Sequence, residues 1–258
     1  MTAARLAGIG ILVTRPRQQA ETLLEQIRAE GGTALALPAL EIAPPRDPHA
    51  LAERIGHLRD YDRIVFVSPT SVEEAWPQIL ARHGDWPDRF HLAAVGQGSA
   101  RMLRHFGARQ VIAPDDGADS ESLLALPEMQ AVAGQRILIM RGEGGREVLA
   151  EGLRQRGATV DYAECYRRVP PQLDPAPILA LWRQGGVQAV TVTSSEILAN
   201  LIALLGADGL ALLRATPLFV IHPRIAAAAR ERGLTEVIVT QPGDAGLLAA
   251  LLHRFGHD

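Results

Sequence analysis

The sequence predicts an α/β protein built from two doubly wound domains with parallel sheets, and three observations support this prediction. Short apolar runs alternate with helical patterns of 3.6-residue period along most of the 258 residues. The chain also repeats itself at a spacing close to 126 residues. Its two richest proline clusters, at 38–48 and 169–177, lie away from the midpoint. Strands separated by helices indicate parallel sheets, because parallel neighbours need a crossover connection.

Ten strands and ten helices are predicted in alternation. We place the strands at 9–14, 33–37, 63–68, 91–95, 109–113, 136–140, 159–166, 188–193, 217–221 and 236–240. We place the helices at about 17–30, 48–58, 70–82, 98–106, 119–126, 145–156, 174–184, 195–205, 223–232 and 243–254. Gly31, Gly157 and Gly233 follow three of these helices, where a left-handed residue commonly ends a helix.

The internal repeat is carried by two pairs of segments. The run ILVTR at 11–15 returns as ILIMR at 137–141, and VFVSPTS at 65–71 aligns with VTVTSSE at 190–196, at a spacing of 125. A spacing this long exceeds that of solenoid repeats. It indicates a duplicated half-protein, and we expect a ligand to bind between the two copies.

The proline clusters predict where the domains begin and end. They cut the chain into a short N-terminal piece, a central block and a C-terminal piece. We predict a discontinuous first domain of 1–38 plus 172–258, a second domain of 42–167, and linkers at about 38–42 and 167–172. A tandem split near residue 127 is the alternative.

Composition excludes several function classes. The chain is 47% hydrophobic and 21% charged with a net charge of −3, so nothing draws it globally to nucleic acid or to a membrane surface. No apolar run approaches the roughly 20 residues of a membrane span, and 8–13 lacks a cleavage site, so we expect a cytoplasmic protein. The single cysteine, Cys165, is expected to be a small buried hydrophobe, and the eight histidines lack metal-ligand spacing. The GEGG run at 142–145 lacks the spacing of a nucleotide-binding loop.

Four polar turns follow predicted strands and open predicted helices. Backbone N–H groups and the helix dipole make such turns suitable for anions, although N-capping by Ser or Thr is the alternative use. Several of them lie at the carboxyl ends of parallel strands, where ligands gather in such sheets, so we expect them to bind an anion. Their candidate residues are Ser68, Thr70 and Ser71; Gln97 and Ser99; Thr193, Ser194 and Ser195; and His222 and Arg224.

An ordered set of segments resembles the uroporphyrinogen-III synthase family. The segments are VTRP at 13–16, FVSPTSVEEAW at 66–76, AVGQGSARML at 94–103 and ECYRR at 164–168, and the resemblance spans about 11–251. It implies two flavodoxin-like domains joined by a two-stranded linker, the first domain built from both chain ends. It also implies a cyclising lyase, which converts hydroxymethylbilane to uroporphyrinogen III with inversion of ring D and loss of water, in tetrapyrrole biosynthesis.

The resemblance also implies that the chain acts on this small molecule without a cofactor or metal. We expect a monomer that makes a transient contact with hydroxymethylbilane synthase and binds neither nucleic acid nor membrane. The alternative is a non-catalytic, two-lobed cytosolic protein that binds or senses an anionic metabolite, because one fold serves both classes.

The resemblance implies a catalytic role for Tyr166. A phenol with a pKa near 10 is a proton donor at neutral pH, so it can assist the departure of the substrate hydroxyl. A packed strand tyrosine is the alternative, and Tyr162, which we expect on the same strand face, is a competitor. Cys165 is expected on the opposite face. The chain departs from the family at Ile225, where many members carry a hydroxyl, and at the turn of Ser194, which lacks the proline that its counterpart has at Pro69.

Arginines near strand ends are candidates to pair with the substrate's carboxylates. We favour Arg15 and Arg141 because the repeat places both at the end of a strand. A solvated surface arginine is the alternative for each member of the set, which also contains Arg17, Arg146, Arg167 and Arg168.

Overall fold

The computed structural model describes residues 4–84 and 91–256. The chain divides into two compact units, unit 1 of Met1–Glu41 and Val169–Asp258 and unit 2 of Ile42–Arg168. The outermost parts of the predicted first domain, 1–3 and 257–258, lie outside the described residues, as do 85–90 of the predicted second domain.

Strands alternate with helices along most of the described chain. The strands are β1 (Gly10–Val13), β2 (Thr33–Ala36), β3 (Glu41–Ala43), β4 (Arg63–Phe66), β5 (His91–Ala94), β6 (Val111–Ile112), β7 (Arg136–Gly142), β8 (Thr159–Val169), β9 (Ala189–Val192), β10 (Leu218–Val220) and β11 (Val237–Val239). The helices are α1 (Arg17–Ala29), α2 (Pro48–Gly56), α3 (Pro69–His83), α4 (Gln97–His105), α5 (Ser120–Ala125), α6 (Val148–Gln155), α7 (Ala176–Arg183), α8 (Ser195–Arg214), α9 (Pro223–Arg230) and α10 (Asp244–Phe255). Each predicted strand and helix range overlaps an observed element of the same type.

Each unit contains one sheet. The order is β2-β1-β9-β10-β11 in unit 1 and β3-β8-β7-β4-β5-β6 in unit 2. The pairs β1–β2, β1–β9, β4–β7 and β7–β8 are all parallel. Strand β1 therefore lies between two strands from opposite ends of the chain, and one sheet is assembled from both ends.

The two sheets share one strand register, displaced by 126 residues. In unit 1 Gly10 faces Thr33 and Ile11 faces Ala189, and in unit 2 Arg136 faces Thr159 and Ile137 faces Arg63. The duplication read from the sequence is confirmed. One detail of it was wrong: β4 and β9 are related by 126 residues, whereas the sequence alignment of that segment used a spacing of 125.

The central strands are buried on both faces, as in other parallel sheets. In unit 2, Ile64 and Phe66 of β4 pack into one hydrophobic cluster with α2, α3 and α4, and Val65 packs into another with α5 and α6. Unit 1 likewise has two clusters, to which Leu12 and Ile11 of β1 contribute separately. Alternating side chains therefore anchor helices on both sides of each sheet, which fixes the carboxyl ends of the strands at one edge.

Helix α8 is longer than the predicted 195–205. It has 20 residues, and an 18-residue window within it has a mean hydropathy of 1.8, so by length and composition it qualifies as a candidate membrane span. Gly206, with φ 64° and ψ −165°, breaks it into two shorter helices. The buried side chains of both parts, among them Leu201 and Leu213, belong to a core cluster of unit 1. The apolar composition therefore serves the core of this unit.

Both predicted linkers are partly β-structure. Strand β3 begins at Glu41, inside the predicted linker at 38–42, and β8 continues to Val169, beyond the predicted end at 166. The two strands are neighbours in the sheet of unit 2. Prolines on either side of 41–43 obscured this short strand in the sequence, because a three-residue strand shows too little alternation to be recognised.

Candidate functional site

A cavity of about 280 Å³ lies at the carboxyl edge of the unit 2 sheet. Ser68 after β4, Arg141 and Gly142 at the end of β7, and Tyr162 and Tyr166 of β8 contribute to its wall. Its outer rim includes residues 143–146, between β7 and α6. Polar donors therefore converge on the edge of a parallel α/β sheet where ligands commonly bind.

The phenol of Tyr166 is held in one orientation at the cavity wall. The residue is 2% exposed, its hydroxyl lies 3.2 Å from Ser68 Oγ, and Arg168 Nη2 donates to it at 3.4 Å. The ring lies against the backbone of Gly142, where an added Cβ would come within 2.7 Å of the Tyr166 Cζ atom. Only glycine allows this approach, so Gly142 positions the phenol that the sequence singled out.

A β-bulge corrects two predictions about β8. Arg141 pairs with Glu164 but Gly142 pairs with Tyr166, so one extra residue is accommodated in β8. Tyr166 and Cys165 therefore pack into the same cluster, whereas Tyr162 packs against the cluster on the other face. The expectations that Tyr162 shares a face with Tyr166, and that Cys165 opposes it, were wrong because strict alternation fails at a bulge.

Cys165 is buried, as the sequence predicted. It is 1% exposed, and burial raises the pKa of its thiol to about 12. Such a thiol remains protonated at neutral pH and is not a nucleophile.

Arg141 forms the centre of a polar cluster beside the cavity. Its Nη1 donates to Glu147 Oε1 at 3.0 Å and its Nη2 lies 3.9 Å from Glu164 Oε1. Its guanidinium carbon lies 3.9 Å from the centre of the Tyr162 ring, and the Tyr162 hydroxyl donates to Glu147 Oε2. Hydrogen bonds from Tyr162 and Arg141 lower the pKa of Glu147, and burial followed by the bond to Glu147 raises the pKa of Tyr162.

The three candidate residues in the turn before α3 differ in burial and in their contacts. Ser68 and Ser71 form a capping box, in which each side chain accepts from the other residue's backbone N–H, at 3.1 and 3.2 Å. Ser71 is 0% exposed and Thr70 is 8% exposed. N-capping is thus the observed use of Ser71, while Ser68 both caps the helix and lines the cavity.

The turn before α4 lies away from the described cavity wall. Gln97 Nε2 donates to the carbonyl of Pro114 at 3.0 Å, and Ser99 is 3% exposed inside the helix. Neither residue is part of the cavity lining.

The candidates of unit 1 lie at the corresponding strand ends of their own sheet. Ser194 caps α8 by accepting from the Ile197 N–H at 3.1 Å, and its neighbours Thr193 and Ser195 are half-buried. His222 caps α9 through Nδ1, which accepts from the Arg224 N–H at 3.0 Å, and Arg224 is exposed.

Arg15 and Ile225 belong to the same unit. Arg15 Nη2 pairs with Asp244 Oδ1 at 2.5 Å, and the two side chains are 14% and 22% exposed. Ile225 is 4% exposed in the core cluster under α9, so its departure from the family hydroxyl places an apolar group in the core.

Arg146 and Arg167 have partners of their own, and Arg17 is exposed. Arg146 donates to both carboxylate oxygens of Glu121 at 3.0 and 3.3 Å, Arg167 Nε donates to the Pro44 carbonyl at 3.1 Å, and Arg17 is an exposed residue at the start of α1. Of the arginines named from the sequence, Arg141, Arg146 and Arg168 line the cavity.

Sequence reasoning missed two residues of this site. Gly142 was noted only within a run that resembles a phosphate loop, and Glu147 was not noted. The bulge that brings Gly142 against Tyr166 gives no signal in one sequence. Within 4–84 and 91–256 no group of three or more His, Cys, Asp and Glu side chains is arranged to hold a metal ion.

Comparison with known proteins identifies the family to which the chain is similar. The family model described as "Uroporphyrinogen-III synthase HemD" matches residues 21–249. A uroporphyrinogen-III synthase of Salmonella typhimurium is 36% identical over 238 residues, covering 92% of this chain and 96% of the relative. The Escherichia coli relative of the same name is 34% identical over 240 residues with the same coverage, and that of Synechococcus elongatus is 32% identical over 259 residues, covering 97% of each chain.

Solved structures of similar fold have the same name. A mutant uroporphyrinogen III synthase of the extremely thermophilic bacterium Thermus thermophilus superposes with a TM-score of 0.59 at 17% identity, covering 95% of this chain and 98% of the other. A uroporphyrinogen-III synthetase of Helicobacter pylori gives 0.54 at 14% identity, covering 95% and 99%. At these identities the likeness shows the shared fold, a mixed α/β structure with parallel sheets.

Proposed function

The chain belongs to the uroporphyrinogen-III synthase family, and we infer from this how its described residues carry out the cyclisation of hydroxymethylbilane to uroporphyrinogen III. The enzyme is a cyclising lyase of tetrapyrrole biosynthesis, which removes water and inverts ring D. The observation that carries the assignment of its site is the hydroxyl of Tyr166, fixed at the wall of a polar cavity by Ser68 and Arg168.

Tyr166 is the proton donor in this proposal. Departure of the ring A hydroxyl requires a proton, which converts the leaving group to water and leaves a cationic, N-protonated azafulvene on the substrate. The Tyr166 oxygen can accept hydrogen bonds from Ser68 Oγ and Arg168 Nη2 while its own proton points to the leaving group. These two contacts stabilise the charge that develops on the phenol oxygen. Tyr166 regains a proton when the closing macrocycle loses one, so each turnover ends with a neutral phenol.

The remaining task of the enzyme is positioning. Ring D attacks through its substituted carbon, giving a spiro intermediate that fragments and recloses with the ring inverted, and fixed orientation and exclusion of water favour this path. We propose that donors at the carboxyl ends of the strands, considered in each unit by itself, bind the substrate's carboxylates. In unit 2 these are Arg141 and Ser68, which line the cavity, and Gln97 and Ser99 of the α4 turn, which lie outside its lining. In unit 1 they are Arg15, Thr193, Ser194, Ser195, His222 and Arg224.

The two units are, in our proposal, flavodoxin-like domains of 1–38 plus 172–258 and of 42–167. Five strands of unit 1 have equivalents in unit 2. When the strands are counted from β1 in unit 1 and from the equivalent β7 in unit 2, both sheets have the order 2-1-3-4-5. This is the strand order of the flavodoxin-like fold. We also propose that the chain acts as a cytoplasmic monomer without a cofactor, and receives its substrate through transient contact with hydroxymethylbilane synthase.

The test is an assay of product isomers. Hydroxymethylbilane would be generated in situ, the protein added, and the oxidised products separated into uroporphyrins I and III. The III isomer should predominate only when the protein is present. Formation of the I isomer alone, at the uncatalysed rate, would leave the alternative of a non-catalytic protein that binds an anionic metabolite.

A further inference from the structure

Two donors beside the cavity already bind one carboxylate of the protein itself. Arg141 Nη1 donates to Glu147 Oε1 at 3.0 Å, and the Tyr162 hydroxyl donates to Glu147 Oε2. Each oxygen of Glu147 therefore has its own charged or polar donor. A planar carboxylate bound through both oxygens in this way is the arrangement expected of a carboxylate-recognition site.

The acceptor carboxylate is more exposed than the Arg141 donor. Arg141 lies at the end of β7 with its side chain 12% exposed, and Tyr162 lies opposite Ile139 within the sheet. Glu147 is 45% exposed, and its side chain does not cap α6 although the residue occupies the N-cap position. Release of this carboxylate would thus expose no helix end. The segment before it contains Gly144 and Gly145, both with positive φ.

The cluster also has unused donor capacity. The buried Nε of Arg141 has no hydrogen-bond partner among the described residues, whereas Nη1 donates to Glu147 and Nη2 lies 3.9 Å from Glu164 Oε1. The hydrogen bonds of Tyr162 and Arg141 lower the pKa of Glu147, so the site favours an ionised carboxylate. Arg141 and Tyr162 both line the cavity.

We propose that the Glu147 carboxylate occupies the binding site of a substrate carboxylate, and that an acetate or propionate group of the substrate displaces it from Arg141 and Tyr162. This rests on the proposed function for the identity of the displacing group. Glu147 then sets the affinity for carboxylates at this site, because every substrate must compete with it. The Glu147 side chain is 45% exposed, so water screens the pairing of its carboxylate with Arg141 and displacement is feasible.

The first experiment compares Glu147→Gln with Glu151→Gln. Glu151 lies one turn further along α6 and is exposed, so its substitution makes the same change of charge outside the cluster. We expect Glu147→Gln to lower KM for hydroxymethylbilane by about two- to fivefold relative to Glu151→Gln, the size of one exposed ion pair. Fluorescence titration with uroporphyrin III, which carries the same carboxylates, should show the same shift in Kd. Equal values for the two variants would overturn the proposal.

The second experiment asks whether Glu147 acts through its two donors. In an Arg141→Gln background, Glu147→Gln should no longer lower KM. In a Tyr162→Phe background, Glu147→Gln should lower KM by a smaller factor. If Glu147→Gln lowered KM equally well in the Arg141→Gln background, Glu147 would act through its charge alone, and displacement would be refuted. Ultraviolet titration should also show a lower pKa for Tyr162 in Glu147→Gln, since Glu147 helps to raise it. Binding of uroporphyrin III requires no turnover. It therefore tests the displacement of Glu147 even if the isomer assay refutes the proposed function.

Discussion

Units 1 and 2 have the same strand register but differ where the chemistry is proposed. At a displacement of 126 residues, Tyr166 corresponds to Leu40 and Gly142 corresponds to Pro16. Tyr166 presents its hydroxyl to Ser68 at the cavity wall, whereas Leu40 is 5% exposed within a hydrophobic cluster of unit 1. The duplicated scaffold therefore tolerates a purely apolar strand end. In our account the reactive phenol is a feature of one copy, added to a framework that both copies share.

The repeated arginine shows a second difference. Arg15 pairs with Asp244, the first residue of α10, whereas Arg141 pairs with Glu147, which precedes α6. Helix α10 corresponds to α5, so the two acidic partners come from elements that are not equivalent. Duplication retained the cation at the strand end, and each copy acquired its own carboxylate to neutralise it.

The largest expected effect tests whether the two cores are equivalent. Leu12 and Leu138 occupy matching positions, and each is 0% exposed in its own unit. Leu12→Ala and Leu138→Ala should each cost about 3–5 kcal/mol through lost burial and the cavity left behind. Native-state hydrogen exchange should assign each loss to the strands of the unit that carries the change. Losses that differ by more than about 2 kcal/mol would break the structural equivalence.

The next effect tests the positioning of Tyr166. Gly142→Ala would place a Cβ within 2.7 Å of the Tyr166 Cζ atom, so the ring must shift. We expect kcat to fall by roughly 100-fold, as for other small displacements of a catalytic group. The matched control is Gly56→Ala, where the nearest atom to a new Cβ is Arg82 Nε at 4.0 Å. If Gly142→Ala retained the kcat of the control, close packing against glycine would not be what orients the phenol.

How much of this could be read from the sequence depends on whether a feature is local or long-range. Periodicity located the ten predicted strands and helices, because burial on one face repeats within a segment. It missed β3 and the bulge in β8, since three residues and one inserted residue leave no periodic signal. The resemblance directed attention to Tyr166, and the repeat directed it to Arg141. The contacts of Gly142 with Tyr166 and of Glu147 with Tyr162 are set by tertiary packing, which spacing along the chain does not report.

A smaller effect tests whether the two repeated arginines play the same part. Loss of a charge-assisted hydrogen bond to a substrate carboxylate should raise KM by roughly tenfold in Arg141→Gln and in Arg15→Gln, with kcat less affected. Steady-state kinetics with hydroxymethylbilane generated in situ would measure both. A raised KM in only one variant would confine carboxylate binding to that copy, and unchanged KM in both would exclude these arginines as substrate contacts.

The smallest effect concerns two acidic residues with no counterpart in unit 1. Burial raises the pKa of Glu73 and of Glu74, whereas α8 has Ala199 and Asn200 at the matching positions. A raised native pKa means that ionisation costs stability as pH rises above the ordinary value of about 4.3. Glu73→Gln should therefore raise Tm at pH 7, and the gain should vanish below about pH 4. A gain that persists at low pH would show that packing, and not ionisation, is responsible, and Glu151→Gln serves as the exposed control.

The most direct test of the central claim compares two buried tyrosines of unit 2. Tyr61 is 4% exposed, and its hydroxyl donates to Asp161 at 2.9 Å at the other edge of the sheet, so Tyr61→Phe controls for the loss of a buried hydroxyl. We expect Tyr166→Phe to lower kcat for uroporphyrinogen III formation by roughly 100-fold through loss of the proton donor, and Tyr61→Phe to leave kcat unchanged. Equal kcat for wild type and Tyr166→Phe would contradict the account.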